Sequence, residues 1–368
     1  MTTEDVLDVV RDSFCPDQLR VARELRCWTQ TQLAREAVSA GHKRGLTAAA
    51  ISQFELGVSI PQRDTIGALV RALRIDPKFL TVSARDDEAH VPAFFRSLRA
   101  TPARSRRRAR NLAQLVHRLA IVLDQHVGLP ARDVPRIPCD PFVDPDERRP
   151  AAERAAAAVR REWALPHGPV ETVLVALEAH GVACTRLLFD DDRVDAFSVN
   201  FSDHPVAVLA ADKEKWDRSR FDAAHELGHL VMHDEAAGVP EAERQANEFA
   251  AAFLMPERDI KGELPARADW SAFMALKAEW GTSIASLLRR SMTLGVMGES
   301  TYVTANKVLS ARGWRRHEPV DGEQEAPALL RRTMQRATKR GIAPDVLRRE
   351  AAIPEDLFDD VCQLISAT

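Results

Sequence analysis

Phe221-Asp222-Ala223-Ala224-His225-Glu226-Leu227-Gly228-His229-Leu230 decides how this chain is read. The run fits H-E-x-x-H on a helix. Histidines at i and i+4 lie about one turn apart on the same helix face, so His225 and His229 can converge on one zinc ion at ~2.0–2.1 Å. Glu226 lies just beside that face. There it can take a proton from a metal-activated water without being a ligand. A catalytic zinc site keeps three protein ligands and leaves its fourth position open. The chain offers three candidates for the third. His233 is a further turn along, where helix drift carries it off the His225–His229 axis. Glu243 and Glu248 lie on the next expected helix, 241–254, which Pro256 stops. Glu243 shares a face with Ala246 and Ala250, the side suited to pack on the first helix, and is preferred over Glu248.

Outward from this pair, 182–188, 196–201 and 206–210 read as three short strands. Asp190-Asp191-Asp192 and Asp203-His204-Pro205 separate them as turns. Helices are expected at 151–163, 170–180 and 268–295, and throughout 301–368. The strand Pro205-Val206-Ala207-Val208-Leu209 reads either as an ordinary sheet strand or as an edge for an extended peptide. Asp195 reads as a turn carboxylate, with a role near the cleft as the alternative. A peptidase needs a group to stabilise its transition-state oxyanion. The single tyrosine, Tyr302, lies far along the chain, and no residue presents itself for that task.

Several ordered blocks resemble the ImmA/IrrE zinc metallopeptidases over about residues 150–318. They are FDAAHELGHLVMH (221–233), ERQANEFAAAFLMP (243–256), Trp280-Gly281-Thr282-Ser283 and Ser310-Ala311-Arg312-Gly313-Trp314-Arg315. The resemblance implies a small zincin-like α+β fold. It implies zinc on His225, His229 and Glu243, in agreement with the helix-face choice, and Glu226 as general base. It also implies a repressor protein as substrate, cleaved to switch on genes of a mobile element or a stress response.

Residues 17–80 are similar to the repressor-type helix-turn-helix domains found in phage repressors. The matching residues are Leu19–Glu24, Trp28-Thr29-Gln30-Thr31-Gln32-Leu33-Ala34, Ala50-Ile51-Ser52-Gln53-Phe54-Glu55-Leu56-Gly57, Pro61, and Thr65 with Ile66. In that family Gln30 would touch phosphate, and the helix from Thr47 would enter the major groove with Ser52 and Gln53 on it. Lys43, Arg44 and Arg63 are candidates to hold phosphates. Two departures weaken sequence-specific readout. The connection between the two helices, 38–46, is roughly seven residues longer than the usual tight turn. The expected reading positions hold Ala48, Ala49 and Ala50, which offer only apolar contact, leaving Gln53 as the one good base reader.

The totals are consistent with this division. The 368 residues are 45% hydrophobic and 29% charged, as for globular protein. Residues 1–123 carry 20 Lys and Arg against 13 Asp and Glu, whereas the remainder is acidic. A basic front suits an acidic partner such as nucleic acid. Arg104-Ser105-Arg106-Arg107-Arg108-Ala109-Arg110 opens a long helix expected over 105–126. Cations gain nothing from the dipole there, so pairing with acidic neighbours is favoured over phosphate contact. Five scattered cysteines without a CxxC pair, no membrane-length apolar run, and an acidic start lacking a signal-peptide core point to the cytoplasm.

The expected fold is therefore mainly α with a small α+β part. It comprises an all-α helix-turn-helix domain over 11–82 and a helical connector and linker over 83–150. A zincin-like α+β metallopeptidase domain follows over 151–300, then a helical C-terminal region over 301–368. The expected function is a DNA-associated zinc metalloendopeptidase that regulates transcription. The expected partners are double-stranded DNA and a repressor substrate, with a second copy of the chain as a candidate and no membrane. The alternatives are a transcription factor whose peptidase-like domain senses a ligand without hydrolysis, or an antitoxin-like binding protein.

Overall fold

Residues 3–42, 45–81, 93–95, 102–140, 144–188, 195–212, 215–233 and 240–358 are described by a computed structural model. Five helices open the chain: α1 (Thr3–Asp12), α2 (Pro16–Leu25), α3 (Gln30–Ser39), α4 (Ala48–Glu55) and α5 (Arg63–Leu73), followed by a 3-10 turn, Pro77–Thr81. Thr29 starts α3 through a reciprocal cap. Its hydroxyl accepts from Gln32 N, and the Gln32 side chain accepts from Thr29 N. Thr47 caps α4 in the expected place, accepting from Ala50 N. Helix α1, which the sequence pattern did not single out, packs on α5 and buries Val10.

After β1 (Ala93–Phe95) comes the long α6 (Ala103–Val127). It lies against α2, where Arg118 donates to Gln18 Oε1 at 2.8 Å and Arg107 pairs with Glu24 at 3.0 Å. Arg108 donates to Leu25 O. These members of the arginine run meet acceptors within the chain.

The chain continues through α7 (Pro145–Glu162), α8 (Val173–Ala179), β2 (Ala183–Leu187), β3 (Ala196–Val199), β4 (Val206–Ala210), α9 (Trp216–Met232), α10 (Pro240–Leu254) and α11 (Glu257–Ile260). It ends with α12 (Trp270–Trp280), α13 (Ile284–Thr293), α14 (Glu299–Ala311), α15 (Leu329–Lys339) and α16 (Pro344–Glu350). Helix α7 begins earlier than the expected Ala151. Proline is well placed in a first turn, and Asp144 caps the helix by accepting from Asp146 N. The segment ahead of it, expected as a linker, is held down. Ile137 N and Cys139 N donate to Val231 O and Met232 O at the end of α9.

The sheet order is β1-β3-β4-β2, with β2 parallel to β4 and the other pairs antiparallel. Strand β4 therefore has neighbours on both edges and is not the edge that an added peptide would need. Strand β1, unforeseen from the sequence, covers the outer edge of β3. Alternation divides the side chains between the two faces. Phe197, Val199, Val206 and Val208 join a core with α6, α15 and the N-terminal helices. Cys184, Ala196, Ala207 and Leu209 join a second core with α8, α9, α10 and α12. The mainly helical architecture with a small sheet agrees with the expected fold class.

The expected all-helical stretch after 301 is interrupted at 312–328. That segment straps across the second core by its carboxylates. Glu318 accepts from Ile284 N and Ala285 N at the start of α13, and Glu325 accepts from Val173 N and Leu174 N at the start of α8. At the C-terminal side, Asp356 forms an ion pair with Arg26, the C-cap of α2, while Leu357 and Phe358 are buried in the first core. Among the described residues, no helix is long and apolar enough to cross a membrane.

Candidate metal centre

Helix α9 lies between the sheet and α10, and it is buried nearly all round, its charged residues included. His225 and His229 are fully buried on it, and Glu226 is 1% exposed. Helix α10 crosses α9 with Ala246 and Ala250 inward and places the Glu243 carboxylate over the two imidazoles. Gly228 permits this approach. A β-carbon there would stand 3.0 Å from Phe249 Cδ1 and 3.3 Å from Phe249 Cβ on α10.

The donor atoms fit a metal ion. His225 Nε2 and His229 Nε2 lie 3.0 Å apart, and Glu243 oxygens lie 3.3 Å from the first and 3.5 Å from the second. Tetrahedral ligands at ~2.0–2.1 Å from zinc stand about 3.3 Å from one another. The three side chains, two neutral-capable imidazoles and a carboxylate, are the donor types zinc takes. Burial pushes the Glu243 carboxyl upward, but the two imidazoles outweigh it and hold the group well below the usual carboxylate range.

The structure brings together all four residues expected at this site. Glu226 sits beside the cluster, and its Oε2 accepts a 2.7 Å hydrogen bond from Ser198 Oγ of β3. Sequence reasoning missed Ser198 because only sheet register carries it to α9. The competing ligand candidates go elsewhere. Glu248 pairs with Arg148 of α7 at 3.3 Å. His233 sits behind His229, with its Nδ1 3.0 Å from His229 Nδ1. Asp195 pairs with Arg218 and anchors the start of β3 to α9, as a turn carboxylate would. Tyr302 lies on α14 beside Arg289.

Residues 177–292 match the family model described as the IrrE N-terminal-like domain, of peptidase family M78. The match runs from the end of α8 into α13 and contains the whole His/Glu cluster. It supports an ImmA/IrrE-like metallopeptidase domain over that stretch. No curated protein matches the chain.

The N-terminal candidates are dispersed. Gln53 and Thr47 are exposed on α4, and Ser52 is half-buried. Gln30 donates to Glu55 Oε2 at 2.9 Å, and Glu55 is itself bound by Arg23 in a buried ion pair. Arg63 pairs with Asp8 of α1. Lys43 and Arg44 lie outside the described residues.

Proposed function

We propose that this chain is a zinc metallopeptidase that associates with DNA through its N-terminal helices and regulates transcription by cutting a partner repressor protein. The observation that carries the reading is the buried convergence of His225, His229 and Glu243 with a carboxylate, Glu226, alongside. When bound, a zinc ion would polarise the scissile carbonyl and acidify the attacking water. Glu226 takes the proton from that water as its oxygen forms the new bond to the carbonyl carbon. The same carboxyl then returns the proton to the departing amine nitrogen as the C–N bond breaks. Ser198 holds one oxygen of Glu226 and so fixes the carboxylate beside the cluster. Burial excludes bulk solvent and strengthens each of these interactions.

On the DNA side, Gln53, exposed on α4, would read a base, with Thr47 at the start of the same helix. Arg63 and Gln30 would contribute from within their pairs with Asp8 and Glu55. Phosphate contacts of this kind make binding fall steeply with salt.

One observation favours the second reading, a ligand sensor without hydrolysis. Strand β3 touches the general base, yet its outer edge is paired along Ala93–Phe95. An extended peptide would have to displace β1 to reach that edge.

The test uses purified wild type and Glu226→Gln, with bound metal measured in each and both incubated with candidate helix-turn-helix repressors. The proposal expects stoichiometric zinc in both and cleavage by the wild type alone. Zinc in both with no cut unique to the wild type supports the sensor; no zinc in either overturns the metal reading. A gel-shift series across salt on the chain's own promoter should show salt-sensitive binding. Its absence on every fragment would assign the N-terminal helices to protein docking.

A further inference from the structure

Two buried side chains, His233 and Gln245, extend the metal cluster in a line that the peptidase chemistry above does not use. His229 reaches the cluster with Nε2. Its other nitrogen, Nδ1, stands 3.0 Å from His233 Nδ1, and His233 Nε2 stands 2.8 Å from Gln245 Oε1. His229 and Gln245 are 0% exposed and His233 is 2% exposed. His233 is the residue at which α9 ends, one turn beyond His229, with extended backbone angles.

We infer that Gln245, acting through His233, is a positioning residue that sets which nitrogen of His229 carries the proton, and thereby the chain's affinity for metal. The inference rests on the reading of His229 as a metal ligand.

A neutral imidazole has one N–H and one lone pair. With the amide oxygen of Gln245 facing His233, His233 must carry its proton on Nε2 and donate it. Its Nδ1 is then an acceptor, so His229 donates from Nδ1 and keeps a lone pair on Nε2 for a metal. With the amide turned over, Gln245 would donate to His233 Nε2. His233 would donate from Nδ1 to His229, and the proton on His229 Nε2 would block coordination. Metal-bound histidines depend on their other ring nitrogen being hydrogen-bonded in this sense, and loss of such partners lowers metal affinity by about 10–100-fold. One helix thus supplies both parts: α10 carries the ligand Glu243 and, two residues on, the amide that orients His229.

The experiment uses the full chain and zinc alone as probe, with affinity measured by competition against a chromophoric chelator. Gln245→Met removes the acceptor at similar volume, and Gln245→Glu replaces the amide with a group that only accepts. The expected result is zinc affinity about 10–100-fold weaker in Gln245→Met and kept within a few-fold of wild type in Gln245→Glu. A packing role alone would not separate the two variants in this order. Wild-type affinity in Gln245→Met, or equal loss in both variants, overturns the inference. Nitrogen NMR of the metal-free wild type gives a readout that needs no variant. The expected His229 tautomer carries its proton on Nδ1, and a proton on Nε2 overturns the proposal. Failure of the wild type to bind zinc at all would sink the metal reading instead, and the tautomer would still decide the hydrogen-bond line.

Discussion

Gly228→Ala tests whether the close crossing of α9 and α10 is what assembles the metal centre. The added methyl would lie 3.0, 3.2 and 3.3 Å from Cδ1, Cγ and Cβ of Phe249. Carbon atoms in contact prefer about 3.5–4.0 Å, so the shortfall is roughly half an ångström. Phe249 cannot swing aside. It is fully buried and stacked on Phe253 at 5.9 Å, and its Cβ is fixed to the α10 backbone. Helix α10 must therefore move, taking Glu243 with it. Alanine in a helix interior gains about 1 kcal/mol over glycine, whereas overpacking a core costs about 1–3 kcal/mol. The net stability loss should be about 0–2 kcal/mol. The effect on metal should be larger in kind, because a shift of about half an ångström exceeds the ~0.2 Å tolerance of metal–ligand distances. Chemical denaturation of the metal-free protein reads the first quantity, and chelator competition reads the second. A variant that is as stable as wild type or more so, and that binds zinc equally well, would refute the idea that this contact sets the ligand geometry.

Glu178, at the end of α8, accepts from Ala328 N with both oxygens, and burial pushes its carboxyl up to about 7 against the pull of the Leu329 and Ala328 amides. Its contribution to stability is complete below the ordinary 4.5 and is lost as pH rises through about 7. Wild type should lose ground to Glu178→Gln by up to about 3 kcal/mol between pH 5 and 8, and parallel urea midpoints would contradict this. Arg220 is buried, pairs with Glu325, and donates to Val170 O, Glu171 O and Gly281 O. Arg220→Ala takes the cation from that carboxylate, which keeps only its two amide donors at the start of α8, and leaves the three carbonyls without their donor; it should cost about 3–5 kcal/mol in unfolding free energy. Ser198→Ala removes the hydroxyl from Glu226 and should slow peptide cleavage about tenfold with zinc content unchanged, as a hydrogen bond to a charged group is worth about 1.5 kcal/mol or more. An unchanged kcat would free Glu226 from that contact.

The sequence by itself determined the parts of the site that lie close along one chain. His225, Glu226 and His229 share a face through helical periodicity alone. The small residues Ala246 and Ala250 marked the side of α10 that packs inward, and so selected Glu243 over Glu248. The short apolar runs at 196–201 and 206–210, bounded by turn residues, gave strands, and Thr47 gave a helix start, because these depend on local backbone chemistry. Tertiary structure decided what local pattern cannot encode. Register between β3 and α9 brings Ser198 to Glu226, and strand order buries β4 while β1 covers the edge of β3. The packing of α10 on α9 brings Gln245 to His233. Each of these is a meeting between segments whose separation along the chain carries no periodic signal. It follows from which faces must be hidden from water, and the two cores on opposite sides of the sheet settle that together.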